Sequence, residues 1–457
     1  MVNTELNHHF DPTLLATVLR ALRPAPQYWI AYSGGLDSTA LLFAAAAIRQ
    51  HLSGTLNAIH LNHGLQPDAV DWEAHCQKHC AALAIPLTIR HLELQPRSGE
   101  SVEAVARAAR YQAFSEVLQA DAVLLTAHHA DDQAETLLLA LLRGSGVQGL
   151  AAMPLEMALG AGRLVRPLLA VTRAALLAYA QTQQLDWIDD PSNALPRFDR
   201  NFLRQKVVPL LRERWPAVTA TLTRSASHCA TAARVVEQVA AQQLATLGGT
   251  RLGTLDIGGL RQLESSLQQA VLRLWLKNNG FRAPDTRQLL RISTEMLTAR
   301  ADARPLVTWT GCEIRRYRLD LFALPPLPPP PTATLLWTVG ATNMPLELPL
   351  ELGQLHWLPA SDAASRDWTL RVQFGKSGIR CERGAGQSGE LKRLYQAHGV
   401  PEWWRPYVPL VFNGEQLLAV AGVCHCQTLA APAGTVQWMA GQLQYPTASI
   451  QQKTTIF

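Results

Sequence analysis

Four short β-type runs, alternating with helical segments, constrain the first part of this chain more than any other feature. "YWIAY" (28–32), "LNAIHL" (56–61), "LTIRHL" (87–92) and "AVLLTA" (122–127) are rich in the β-branched, aromatic and aliphatic residues that suit buried strands. Between them lie Ala- and Leu-rich stretches with apolar residues at helical spacing, as in 101–119. This alternation predicts an α/β domain: an open parallel sheet with helices on both faces, binding ligands beyond the C-terminal ends of its strands. Residues 33–38 and 128–135 fall at two such ends.

At the first end stands "SGGLDS", between a strand and a helix. Gly34 and Gly35 let backbone N–H groups approach phosphate oxygens closely, and the helix N-terminus just beyond favours an anion. Ser33, Leu36 and Ser38 complete the loop, with the serine hydroxyls as further donors. Bare phosphate would repel Asp37, so its presence points to a bridging Mg²⁺. A Walker A loop needs G-x-x-x-x-G-K-[ST], and that pattern is absent. The bland alternative for these residues is an ordinary strand-to-helix turn with a serine N-cap.

At the second end, "HHADDQAET" opens a helix. Asp132 and Glu135 are three apart and share one face, whereas Asp131 is offset from it. Two converging carboxylates can hold an ammonium group or share a metal; alternatively they are a solvated first turn set favourably against the helix dipole. His128 and His129 precede the turn, one as a candidate nucleotide contact and the other as packing. Neither has further ligands at zinc spacing, and no zinc or iron–sulfur cluster is expected. Glu103, Arg107 and Arg110 share a face of an earlier helix, either as an intrahelical ion pair or with an arginine placed to stabilise developing phosphate charge. Asn62 and His63 stand beyond the second strand, and His60 within it reads as structural.

A chain of 457 residues exceeds one core, and roughly two to four domains are expected. Its 48% hydrophobic and 17% charged residues are those of a folded protein, and a net charge of +5 permits a nucleic-acid partner without requiring one. The seven cysteines are scattered with no C-x-x-C pair, so reduced thiols in a cytoplasmic, soluble protein are expected. No apolar run is long enough for a membrane span, and "MVNTELNHHFDP" has no signal core. The character changes after about Asn201, and the first domain is expected to span 1–215. Residues 216–323 look mainly helical and arginine-rich, 324–334 ("LPPLPPPPTAT") form a proline-rich spacer, and 335–457 read as a small α+β domain.

The loop resembles that of the ATP pyrophosphatase (PP-loop) superfamily. Four further stretches narrow the resemblance: "HLNHGLQPDA" (60–69), "SVEAVARAARYQAF" (101–114), "TAHHADDQAETLLLALLRGSGVQGLAAM" (126–153) and "RPLLAVTRAALLAYAQTQQLDWIDDPSNALPRFDRNFLR" (166–204). With "EIRRYRLDLFAL" (313–324) and "ELKRLYQAHGVPEWWRPYVPLVFNGEQLLAVAGV" (390–423), the chain is similar to the tRNA(Ile)-lysidine synthase family.

That resemblance implies an adenine-nucleotide α-hydrolase-like sheet and an ATP-dependent C–N ligase. Its substrates would be ATP with Mg²⁺, free L-lysine and an isoleucine tRNA with a CAU anticodon. It implies that residues 33–38 hold ATP, that Asp37, Arg110, Asp132 and Glu135 are catalytic, and that Asp132 and Glu135 take the lysine. Arg197, Arg200, Arg204, Lys392, Arg393 and Arg405 become candidates for tRNA, with Arg197, Asn201 and their neighbours also candidates for the lysine pocket. Gln66, Gly389 and Glu390 stand where the family commonly carries basic residues. The rival readings are a tRNA thiolation enzyme, which would want a cysteine pair near the site; an amide-forming ligase, which would want a glutaminase part; and a tRNA-binding protein with a degenerate loop. Oligomeric state, a homodimer included, is not readable from the residues.

Overall fold

The computed structural model describes residues 6–62, 69–92, 102–190, 199–300, 303–340, 344–360, 367–383, 387–427 and 432–441, and the chain divides into two compact units, 1–236 and 237–457. The division falls inside the helix Val218–Leu244.

In the first unit, β1 (Gln27–Ala31) pairs in parallel with β2 (Thr55–Asn62) on one side and β4 (Val123–Leu125) on the other. With β3 (Leu87–His91), β5 (Glu156–Leu159) and β6 (Gly162–Val165) the sheet order is β3-β2-β1-β4-β6-β5. All pairs are parallel except the edge hairpin of β5 and β6. Side chains alternate between two cores, as the two-residue period of a strand requires. Ile30, Ala58, Leu125 and Val165 join one core with Leu41, Ala45 and Leu176, whereas Ile59, Leu124 and Leu164 join the other with Phe114 and Leu118.

Helices cover both faces. α1 (Pro12–Arg20) begins with Pro12 behind an Asp11 cap, whose Oδ1 accepts the Leu14 amide at 2.9 Å. Such a cap contributes about 1 kcal/mol. α2 (Leu36–Ala47) is nearly all apolar beyond its first turn and is buried on most of its surface, packed between α1, α7 (Arg173–Thr182) and the sheet. α3 (Ala69–Ala82), α4 (Val102–Val117) and α5 (Ala130–Leu142) follow β2, β3 and β4. The short helix α6 (Val147–Leu150) lies before the β5–β6 hairpin. Beyond α7 the chain continues through α8 (Asp199–Phe202), a π-turn at Leu203–Val207, α9 (Val208–Arg214) and α10 (Val218–Leu244).

Two neighbours of the central strand thus leave β1 flanked by β2 and β4. Chain connections run away from β1 in opposite directions, which opens a crevice at the C-terminal ends of β1 and β4. Both candidate loops sit there.

The second unit begins with helices α11 (Ile257–Gln262), α12 (Ser265–Asn278) and α13 (Thr286–Arg291). They pack on an antiparallel sheet of order β7-β10-β9-β8, formed by Leu255–Asp256, Leu306–Trp309, Cys312–Tyr317 and Asp320–Leu324. The helical reading of this region therefore gains a small sheet, and "EIRRYRLDLFAL" supplies its central hairpin. The rest forms a five-stranded antiparallel sheet, a three-stranded one and a two-stranded ribbon, with α14 (Leu391–Ala397) beside them. Beyond Leu324, which ends the strand Asp320–Leu324, the proline-rich stretch has no regular structure, but it is not free. Leu327 packs on the C-terminal core and the Tyr407 hydroxyl donates to the Pro328 carbonyl.

The expectation that all thiols are reduced needs correction. Cys381 and Cys426, 45 residues apart in sequence, form a disulfide with Cα atoms 5.3 Å apart. The two segments meet beside a backbone bond from Gln427 N–H to the Glu382 carbonyl at 2.7 Å, a tertiary contact that spacing along the chain does not reveal. Among the described residues, no helix is long and apolar enough to cross a membrane.

Candidate functional site

The loop between β1 and α2 is held by its own hydroxyls. Ser33 N–H donates to Ser38 Oγ at 3.2 Å, and Ser38 Oγ donates to the Gly35 carbonyl at 3.0 Å. Thr39 Oγ1 and Ile188 N–H both donate to the Gly34 carbonyl, at 3.2 and 2.9 Å. Gly34 has φ +81°, and a Cβ there would lie 2.7 Å from Ile188 Cδ1. Gly35 is the N-cap of α2 and caps it with no side chain, so the helix start is left to an incoming anion.

α5 begins with a capping box. His129 Nδ1 accepts the Asp132 amide at 3.3 Å, and Asp132 Oδ2 accepts the His129 amide at 3.1 Å. The other ring nitrogen of His129 faces two carboxylates, Asp37 Oδ2 at 3.5 Å and Asp132 Oδ2 at 3.4 Å. Burial opposes charge on this imidazole, but the Asp132, Asp37 and Asp131 carboxylates outweigh it and raise its pKa. Burial likewise works against an ionised Asp132, and the positive field of His129, Arg200, His128 and Arg204 prevails, lowering its pKa. His128 is pushed down to about 4 by burial and is neutral near pH 7; its Nδ1 meets Thr126 Oγ1 at 2.9 Å.

Asp132 and Glu135 do share one face, and both are buried. Two arginines close on them. Arg200 donates to Glu135 Oε2 at 2.9 Å and to Asp132 Oδ1 at 3.1 Å. Arg204 donates to Glu135 Oε1 at 2.7 Å and to Asp132 Oδ1 at 2.9 Å. Two acids and two guanidinium groups make a charge-balanced cluster, the arrangement in which burying carboxylates is tolerable. The π-turn that follows α8 carries Arg204 one turn beyond Arg200, so both reach the same pair. Asp131, by contrast, accepts the first amide of α7 from Arg173 at 2.9 Å and pairs with Arg212 at 2.9 Å.

A cavity of about 600 Å³ opens at the crevice. Its floor is the loop, with Ser33, Gly35, Asp37 and Ser38. One wall is apolar, from Ile59, Leu61, Phe114 and Leu164. Arg110, Arg173, Arg204, Thr126, His128 and Asp132 supply polar groups around it, with Asp189 and Asp190 at a further edge. An apolar slot with a few convergent polar groups suits a planar ring and a charged tail. Asp37 Oδ1 is shielded from solvent and accepts no hydrogen bond from the described residues, with Arg173 Nε 3.8 Å away. Arg173 and Thr126 stand out by nothing in the sequence, and the Asp189–Asp190 pair of "DDPSN" reads there as a polar turn; the tertiary fold brings all four to the cavity.

The other candidates are placed as follows. Arg107 lies over the Tyr111 ring at 5.2 Å, and the side chain of Glu103 lies outside the described residues. His60 is buried with Nδ1 2.9 Å from the Tyr32 carbonyl, and Asn62 donates to Glu73. His63, Gln66 and Arg197 lie outside the described residues. In the second unit, Lys392 and Arg393 are exposed on α14. Arg405 donates to the Val400 carbonyl at 3.2 Å and stands 5.9 Å from the Tyr395 ring. Trp404 is buried, whereas Trp403 packs edge-on against Tyr317 and Phe322. Gly389 and Glu390 form the end of the ribbon that leads into α14.

Comparison with known proteins agrees with this arrangement. Residues 3–211 match the model of the PP-loop domain, 255–322 that of the TilS substrate binding domain, and 370–443 that of the TilS substrate C-terminal domain. The tRNA(Ile)-lysidine synthase of Coxiella burnetii is 40% identical over 435 residues, covering 94% of this chain and 96% of that one. That of Yersinia pseudotuberculosis is 43% identical over 410 residues, covering 86% and 90%. That of Methylococcus capsulatus is 40% identical over 412 residues, covering 88% and 92%. With its phosphate loop, crevice and full-length similarity to these enzymes, the chain belongs to the tRNA(Ile)-lysidine synthase family of ATP-dependent ligases.

Proposed function

We propose that this protein adenylates the C2 oxygen of the wobble cytidine in a CAU-anticodon isoleucine tRNA and then joins free lysine to C2. Pyrophosphate leaves in the first step. In the second the lysine ε-amino group attacks C2 and AMP leaves. The product pairs with A in place of G, which moves the tRNA from AUG to AUA codons and from methionine to isoleucine identity. The observation that carries this reading is the cavity, which has the phosphate loop as its floor and the Asp132–Arg204 contact in its wall.

On this reading the adenine ring lies against the apolar wall and the phosphates meet residues 33–38 and the start of α2. Asp37 is the residue for Mg²⁺. Its shielded, unbonded Oδ1 fits a hard cation, which would offset charge on the α- and β-phosphates. Arg110 faces the charge that develops on the α-phosphate. Lysine is a zwitterion, and the Asp132, Glu135, Arg200 and Arg204 cluster offers both signs in one place. The carboxylates take an ammonium group and the guanidinium groups a carboxylate. A base must also remove a proton from the attacking amine, and a carboxylate at this end of the crevice is placed for it. Lys392, Arg393 and Arg405 are the tRNA candidates of the second unit.

The test uses ATP, Mg²⁺, labelled lysine and a CAU-anticodon isoleucine tRNA transcript. Label is expected in the RNA, and Glu135→Ala should weaken lysine use while sparing tRNA binding. If the wild-type protein left the RNA unlabelled beside an active control, the reading would fail.

A further inference from the structure

A second group of ligand-type side chains lies behind the phosphate loop. His75 and His79 are four residues apart on α3, hence on one face, with ring centroids 4.2 Å apart. Asp186, from the segment after α7, completes the group. One ligating atom from each of the three lies within 4.8 Å of the other two. His75 Nε2 is shielded from solvent and has no hydrogen-bond partner among the described residues. His79 Nδ1 meets the Tyr32 hydroxyl at 2.8 Å, which leaves Nε2 to face a ligand. In metal sites the second ring nitrogen of a ligating histidine is held by an oxygen in this way. Burial lowers the pKa of both imidazoles, so each offers a neutral lone pair near pH 7.

We propose that His75, His79 and Asp186 bind one divalent transition-metal ion, of which zinc is the best match. Two imidazole nitrogens and one carboxylate oxygen, with water in a fourth position, are a zinc ligand set. Magnesium and calcium prefer oxygen-only shells, so this site is chemically distinct from the one assigned to Asp37. The pattern His-x-x-x-His is visible in the sequence, but its third ligand comes from a distant segment and becomes apparent only in the fold. This departs from the expectation that no zinc is bound, which rested on His128 and His129.

The ion would act on the loop from behind. A Cβ on Gly34 would lie 3.6 Å from His75 Cδ2, so the ring and the loop are in contact range. Ile188, two residues beyond Asp186, donates its amide to the Gly34 carbonyl at 2.9 Å. Thr39 donates to the same carbonyl at 3.2 Å. A metal here ties α3 to the 186–188 segment and fixes Gly34 between them.

The experiment uses the full-length protein stripped with a chelator and titrated with Co²⁺ and then Zn²⁺, followed by calorimetry and absorption. One ion per chain is expected, displaced by zinc, with a cobalt spectrum that lacks thiolate charge transfer, and with a rise in melting temperature on loading. Tyr32→Phe should weaken metal affinity by about 10–100-fold through loss of the supporting bond. His79→Gln and the exposed-site variant Asp186→Asn should weaken it at least as much. Should His79→Gln fail to fold, Asp186→Asn decides. Absence of binding by the wild type, unchanged affinity in folded Asp186→Asn, or a thiolate charge-transfer band that places the ion on cysteines would each overturn the assignment.

Discussion

Arg204 grips Glu135 with two hydrogen bonds, Nε to Oε1 at 2.7 Å and Nη2 to Oε2 at 3.0 Å, although 69 residues separate them in sequence. The Glu135 side chain is only 2% exposed. Removing Glu135 leaves Arg200 and Arg204 sharing the single carboxylate of Asp132, an excess of positive charge in the cluster, whereas removing Glu135 and Arg204 together restores the balance. Glu135→Ala is therefore expected to cost about 3 kcal/mol of stability. In a double-mutant cycle with Arg204→Ala, much of that loss should be recovered. Denaturant unfolding of the four proteins measures it, and simple additivity would show that the pair is not coupled.

Asp37 is expected to matter for chemistry far more than for folding. Among the described residues its Oδ1 accepts no hydrogen bond, and Asp37→Asn keeps the side chain's shape while removing the charge that faces His129 Nε2 at 3.5 Å and Arg173 Nε at 3.8 Å. Pyrophosphate release should fall by about 10²–10³-fold or more, the scale for losing one electrostatic stabiliser of a transition state. Release at the wild-type rate would remove Asp37 as the magnesium ligand.

Gly34 tests the loop. Its φ of +81° costs a residue with a Cβ about 1–2 kcal/mol, and Ile188 Cδ1 stands 2.7 Å from where that Cβ would go. Gly34→Ala should raise the Kd for ATP while leaving most of the fold intact by circular dichroism. Unchanged nucleotide affinity would mean that the loop does not set phosphate binding.

His128 supplies a pH signature. Burial holds its pKa at about 4 in the folded protein, against the ordinary 6.5 when unfolded. Between those values the unfolded chain binds the additional proton, so His128 makes stability fall as pH drops from about 6.5 towards 4 and adds no slope above that window. His129 acts in the opposite sense, because its raised pKa favours the folded state as pH falls. The wild-type profile mixes both, and the difference between wild type and His128→Asn isolates the first. A flat difference between pH 6.5 and 4 would contradict the buried neutral ring.

Lys392 and Arg393 are exposed on α14 and carry the proposed tRNA contact of the second unit. Each phosphate contact removed should lower the slope of log affinity against log salt by about 0.7–0.9. Lys392→Ala/Arg393→Ala should therefore weaken tRNA binding and flatten the salt dependence, with pyrophosphate release from ATP measured separately. A tRNA affinity and slope equal to wild type would place the contact elsewhere.

The parts of this fold that were legible in the sequence are local ones. "YWIAY" and "AVLLTA" announce strands because their apolar residues are contiguous, and "SGGLDS" announces a loop because two glycines interrupt a strand-to-helix step. Asp132 and Glu135 could be put on one face from their spacing alone. β5 and β6 are not legible because "EMAL" and "GRLV" are four residues each and carry a charged residue at the first or second position. The grip of Arg200 and Arg204 on the acidic pair spans 65–72 residues, and the disulfide spans 45, distances over which no periodicity carries information. Arg173 is a similar case. As the first residue of α7 it resembles any surface arginine until the fold sets its Nε 3.8 Å from Asp37.

The capping box of α5 gives His129 two occupations at once. One ring nitrogen secures the start of a helix and the other addresses Asp37 in the neighbouring loop. An asparagine could preserve the first and lose the second; a positively charged side chain could preserve the second and leave the helix start open. Mutational tolerance at this position is thus the intersection of two unrelated requirements, and selection for folding alone would not be enough to keep the imidazole beside the phosphate loop.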